Sequence, residues 1–159
     1  DGCGYPLPCD DHCGCLCGTS CLSNFFAFPF SNGYFLHLFK TRIQAYIFRL
    51  IGGSGKKKKR PKKIFVCMIY YPCEDRSVRS WADPTLALLG YEKNPAKLQT
   101  LITKIYHDAI CKIKIPGSEV VPVPLFEILD KNDPRDYCQR VEPSAYGGYK
   151  MAKYIMDRL

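Results

Sequence analysis

Residues 64–71, Ile64-Phe65-Val66-Cys67-Met68-Ile69-Tyr70-Tyr71, form an unbroken apolar run of strand length, β-branched and aromatic in character, closed by Pro72. A strand with one wet face alternates apolar and polar residues. A run without alternation suits a central parallel strand covered on both faces. Downstream, Trp81 to Tyr91 reads as a loop with a short helix, in the strand-end position where α/β folds place their sites. Asn94 and Pro95 then open a helix expected over 95–113, with Leu98, Leu101, Ile102, Ile105, Ala109 and Ile110 on one face. Pro116 and Gly117 break it. Residues 119–126 read as a second strand, whose prolines fit an edge or a strand end. Pro143 and Ser144 open a last helix toward Leu159, with Ala145, Met151, Ala152, Ile155 and Met156 as its candidate buried residues. The order β-α-β-α predicts an α/β fold, a parallel sheet sandwiched by helices.

Upstream the composition changes three times. Of the net charge of +8, seven charges lie in one run (Lys56 to Lys59, Arg60, Lys62 and Lys63), which leaves +1 for everything else. A nucleic-acid surface spreads its cations over a face, because the phosphates it neutralises are spread along a duplex; nucleic acid is therefore not the expected partner. Gly52, Gly53, Ser54 and Gly55 precede the lysines, and residues 52–63 read as a linker.

Residues 22–51 are aromatic-rich, but Asn24, Pro29, Asn32, Gly33, His37 and Lys40 interrupt the roughly 20-residue apolar stretch that a spanning helix needs. From Phe39 to Leu50 the spacing is helical and amphipathic. It fits a helix lying on a membrane surface or a protein partner, and equally one packed on the domain core.

The head, residues 1–21, holds six of the ten cysteines together with Gly2, Gly4, Gly14, Gly18, Pro6 and Pro8. Six disulfide-forming cysteines would allow fifteen pairings and would require an oxidising compartment. With so little apolar surface to offset the entropy of ordering, the head is expected to lack a fold of its own. The paired C-x2-C knuckles of a zinc site do not occur even beside His12, so no metal is expected, and no cofactor motif is present. Asp1 leads the chain, as in a processed protein or a fragment.

Residues 64–159 resemble the C-terminal half of an SGNH (GDSL-type) hydrolase. The likeness rests on the strand ending in Tyr71-Pro72, on Asp136-Tyr137, and on Glu142-Pro143-Ser144-Ala145-Tyr146-Gly147-Gly148-Tyr149-Lys150-Met151-Ala152. The terminal block of that family resembles D-x-x-H-P-S-x-x-G followed by a helix with a Met-Ala pair; Pro143, Ser144, Gly147, Met151 and Ala152 match it. Glu142 stands where the family carries its histidine base, and Gln139 where it carries the orienting aspartate. The family's Gly-Asp-Ser nucleophile block and Gly-x-Asn-Asp oxyanion block do not occur in residues 1–63, where Ser54 in its glycine turn reads as linker. His12, His37 and His107 are not placed like a catalytic base.

The resemblance implies a three-layer sandwich of the SGNH kind, incomplete and preceded by the cysteine-rich and aromatic-rich extension. It also implies an ester or acetyl-ester hydrolase class with a small ester as substrate. Serine esterase chemistry needs a base with a pKa near the operating pH, which suits imidazole and not an ordinary carboxylate. The chain is therefore expected to be inactive by itself, a pseudoenzyme or a fragment whose nucleophile block lies upstream. The alternative is a non-catalytic accessory or interaction subunit of a larger or membrane-associated assembly, engaging a protein partner or membrane surface through residues 22–63. The site candidates are Glu142 and Asp136 for catalysis, and Glu142, Ser144 and Tyr71 for binding; for Glu142 the competing expectation is a helix-capping carboxylate.

Overall fold

A computed structural model describes residues 35–52 and 60–159 of the 159. The cysteine head, residues 22–34, Ser54 and the lysines at 56–59 lie outside the described residues, and with them the expectations attached to those segments. The fold is a mixture of helix and strand of the α/β class with a small parallel sheet.

A π-helical segment, His37–Arg42, continues without a break into α1, Ile43–Leu50. Strand β1 is Lys63–Met68, α2 is Asp83–Leu88 and α3 is Pro95–Asp108, the last followed by a 3-10 turn at Ile110–Lys112. Strand β2 is Glu119–Pro124 and leads directly into a single-turn helix, α4, Leu125–Ile128. A second 3-10 turn, Pro134–Asp136, precedes the hairpin of β3, Tyr137–Gln139, and β4, Glu142–Pro143; α5, Ala145–Met156, closes the chain. β1 pairs with β2, and β3 pairs antiparallel with β4.

By compactness the chain divides into two units. One comprises the described residues up to Ile64 with Lys104–Val121, the other Phe65–Thr103 with Pro122–Leu159. In the first, Ile105, Ala109, Ile110, Ile113 and Ile115 are buried. The amide N–H of Lys114 donates to Gln44 Oε1 at 2.9 Å, so within this unit α1 is tied to the segment after α3. The end of the basic run is also held there. The guanidinium of Arg60 donates to the Pro116 carbonyl and lies 5.5 Å from the Phe48 ring centroid, and Ser118 Oγ donates to Pro61 O at 2.7 Å.

In the second unit, Cys73, Leu129 and Tyr137 make one core cluster, with Tyr70 and Met151 packed on it. Ala82, Leu86 and Tyr91 make another, flanked by Leu98 and Val141. Both strands are shorter than their apolar runs. Ile69, Tyr70 and Tyr71 leave the ladder after Met68, and Leu125 and Phe126 turn into α4 instead of extending β2.

The last helix departs most from its pattern. Ala145, Ala152 and Met156 are exposed, and the one buried residue of α5 is Gly147. A Cβ placed at Gly147 would stand 2.2 Å from the Asp136 carbonyl oxygen and 3.3 Å from Leu129 Cδ2. The helix thus docks by backbone approach through a residue without a side chain, where the spacing suggests an apolar face.

Candidate functional site

At the end of β1 the chain leaves the ladder through Ile69 and Tyr70 to Pro72. These three residues, with Leu98 and Ile102 of α3 and Val141 of the β3–β4 turn, line an almost wholly apolar cavity of about 240 Å³. The Tyr70 hydroxyl donates to the Val141 carbonyl at 2.8 Å, and the Tyr70 ring meets Tyr137 edge-on at 6.1 Å between centroids. Strand end, helix and hairpin turn thereby share one wall.

Glu142 follows Val141 in the chain and does not itself line the cavity. Its Oε1 accepts from Trp81 Nε1 at 2.8 Å, and its Oε2 lies 4.0 Å from the exposed Cys138 Sγ. Burial pushes the Tyr70 phenol pKa up, and the negative charges of Glu142 and Cys138 push it further. Among the described residues Glu142 forms no salt bridge. It does not cap the following helix either. Ser144 is the N-cap of α5, its Oγ accepting from the Gly147 N–H at 3.1 Å while donating to the Arg135 carbonyl. The competing expectation of a capping Glu142 is corrected accordingly: the short polar side chain two residues on takes that role, and the carboxylate is left facing Trp81.

The hairpin turn that carries Val141 and Glu142 is anchored by Arg140, which is only 3% exposed. Its Nε donates to the Cys73 carbonyl at 3.0 Å, and the Cys73 N–H returns a bond to the Arg140 carbonyl at 2.8 Å. Its Nη1 donates to Asp83 Oδ1 at 3.2 Å and to Glu92 Oε1. Burial alone would push the guanidinium pKa down; the hydrogen bonds it donates to Glu92 and Asp83 reverse that, and the charge is held. Tyr91 completes the support, donating its hydroxyl to the Pro72 carbonyl at 2.7 Å. Beside it, Lys131 Nζ contacts Glu74 Oε1 at 2.6 Å and Gln99 Oε1 at 3.0 Å.

The other sequence candidates lie in the scaffold around this cavity. Asp136 is completely buried; its Oδ2 accepts from the Asp130 N–H at 2.8 Å and from Lys150 Nζ at 2.5 Å, and its carbonyl accepts from the Ser144 N–H. It addresses the loop after α4 and the last helix, and no hydrogen bond links it to Glu142. Tyr71 pairs its hydroxyl with Thr103 Oγ1 at 2.7 Å, packs its ring 5.2 Å from that of Phe126, and accepts the Tyr137 hydroxyl at its carbonyl. None of the candidates Glu142, Asp136, Ser144 and Tyr71 lines the cavity; Tyr71 and Glu142 are each next in the chain to a residue that does. Trp81 and Arg140 escaped the sequence reading. The chain's single tryptophan in a strand-end loop was the available signal for the first.

No family model, curated protein or solved structure matches the chain. Among the described residues no three His, Cys, Asp or Glu side chains gather as a metal-holding group, and no helix is long and apolar enough to cross a membrane.

Proposed function

We propose that residues 64–159 are an SGNH-hydrolase-like region, part of a three-layer α/β sandwich of the ester or acetyl-ester hydrolase class, which receives a small ester without turning it over by itself. The observation that carries this reading is the apolar cavity at the end of β1, with Glu142, in the motif position where the family places its base, next in the chain to Val141 of its wall, hydrogen-bonded by Trp81 and freed from capping by Ser144. The cavity is smaller than the roughly 300 Å³ at which small-molecule sites usually begin, which favours a short acyl chain.

The absence of turnover is argued from the described serines. Ser80 and Ser144 accept from backbone N–H groups, Ser118 donates to a carbonyl, and Ser77 closes a turn with Asp75, so these hydroxyls serve turns and caps. The test is a serine-directed fluorophosphonate probe applied to the purified chain alongside a series of acetyl, butyryl and octanoyl esters. The expected result is neither label nor turnover, with butyryl esters bound; one labelled serine with turnover would overturn the inactive assignment.

A second reading, an interaction subunit that meets a protein partner or a membrane surface through residues 22–63, draws its support from Tyr46 and Leu50. Both are large, apolar and well exposed on α1.

A further inference from the structure

We infer that the outer face of α1 docks on an anionic lipid bilayer, with Tyr46 and Leu50 entering the headgroup layer and Arg42 and Arg49 meeting the lipid phosphates. This inference rests on the second reading above and commits it to one partner, a membrane surface.

The contacts of α1 settle which side faces outward. Gln44 accepts the Lys114 N–H, and the ring of Phe48, one turn on, lies under the Arg60 guanidinium, so these two mark the side turned to the rest of that unit. Arg42, Ala45, Tyr46, Arg49 and Leu50 recur at the three- and four-residue spacing that stacks side chains on one face of a helix, and all five are exposed. Tyr46 is 64% and Leu50 69% exposed, and no residue of α1 is buried. Two large apolar side chains thus stand in the open between two arginines.

Charge selects the partner. From His12 to Cys73 the sequence contains no Asp or Glu. Among the described residues of that unit, nine lysines and arginines stand against two acids, Asp108 and Glu119, and Asp108 is engaged by Lys104 and Lys112. A bilayer with anionic headgroups offers phosphates and hydrocarbon within a few ångströms of one another, which is the pairing that arginine beside leucine and tyrosine requires. The amphipathic ring of Tyr46 suits the headgroup level, and the arginine stems can lie along the acyl boundary with their charges in the polar layer. The described helix is not long and apolar enough to cross, so it would lie in the interface plane.

The test uses the full chain with Tyr46→Trp in a Trp81→Phe background, which makes position 46 the one indole. It would be mixed with vesicles of phosphatidylcholine alone, with vesicles of phosphatidylcholine and phosphatidylserine in equal parts, and with the latter carrying brominated acyl chains. Association with the phosphatidylserine vesicles is expected, weakening with salt, with a blue shift of the indole and quenching by the bromines. Association with phosphatidylcholine alone is expected to be far weaker. Arg42→Gln with Arg49→Gln leaves the lysine run intact and is expected to lower partitioning about thirtyfold, each arginine near an anionic surface contributing about 1 kcal/mol; an unaltered melting curve certifies the fold. Association without quenching, or partitioning unchanged in the double variant, would overturn the α1 face and leave the second reading standing on the rest of residues 22–63. Equal association with both lipid compositions would overturn the anionic assignment. A blue shift with polyglutamate and with neither vesicle would overturn the bilayer in favour of an acidic protein partner. No association with any of these would overturn the inference together with the membrane half of the second reading.

Discussion

Replacing Gly147 by alanine separates the close approach of α5 from ordinary helix propensity, because Gly148 beside it offers an internal control. Alanine is favoured over glycine in a helix interior by about 1 kcal/mol. At Gly148 the new Cβ meets nothing within 4 Å, so Gly148→Ala is expected to stabilise by up to about 1 kcal/mol. At Gly147 the new Cβ would stand 2.2 Å from the Asp136 carbonyl oxygen and 3.1 Å from its carbon. Both are backbone atoms of a turn pinned by the Asp130 N–H and Lys150 on the Asp136 carboxylate. Relief requires α5 to lift by about an ångström, which disturbs the Ser144 cap and the Ser144 N–H bond to that same carbonyl. Overpacking of this kind costs about 3 kcal/mol or more, and the propensity gain offsets only a third of it. Urea denaturation followed by far-UV circular dichroism gives both values. A Gly147→Ala protein within about 0.5 kcal/mol of the parent would refute the close-approach argument, since a surface glycine would behave in that way.

Three further outcomes follow from the support of the cavity. Arg140→Met leaves Glu92 and Asp83 facing each other without their guanidinium, and a loss of about 3 kcal/mol in denaturant unfolding is expected, with Arg140→Lys recovering only part because the fork is lost. Burial pushes the Tyr91 phenol up to about 12 from 10, so the folded state holds its proton where the unfolded chain has released it. Stability is therefore expected to fall by roughly 1 kcal/mol per pH unit between those values, and Tyr91→Phe is expected to remove that slope. Burial tends to raise the Glu74 carboxyl, but the hydrogen bonds from Lys131 and Gln99 outweigh it and hold the pKa below 4.5. Its contribution is thus complete above that pH and lost as pH falls through the lower folded value; melting curves from about pH 5 to about pH 3 should drop more steeply for the parent than for Glu74→Gln.

The elements with a long, clear pattern were legible in the residues. The six apolar positions from Leu98 to Ile110 bury what their spacing assigns, apart from the half-buried Leu98, whereas the run at 64–71 forms its strand without the cover on both faces that its unbroken apolar character suggests: in a two-stranded sheet Val66 and Met68 are buried, Ile64 and Phe65 half-buried and Cys67 exposed. Short elements left no such trace. The β3–β4 hairpin pairs a three-residue strand with a two-residue one, too few for any alternation to register, and Arg140 between them reads as an ordinary surface charge until Asp83 and Glu92 are seen around it. Gly147 was legible as a matching motif position, but not as the point where α5 touches Asp136, because that depends on residues eleven places earlier in the chain. Glu142 was legible as a candidate. Its partner Trp81, sixty-one residues before it, was not, since only the tertiary fold brings the two together.

The most direct measurement is a methyl NMR titration of the isotope-labelled chain with 3,3-dimethylbutyl butyrate, an uncharged ligand that tests the cavity without calling on Glu142. Saturable shifts concentrated at the methyl groups of Ile69, Leu98, Ile102 and Val141 are expected from a site at the end of β1. Shifts confined to methyl groups away from these four, or none at all up to the solubility limit, would contradict the assignment of this cavity as the ligand site.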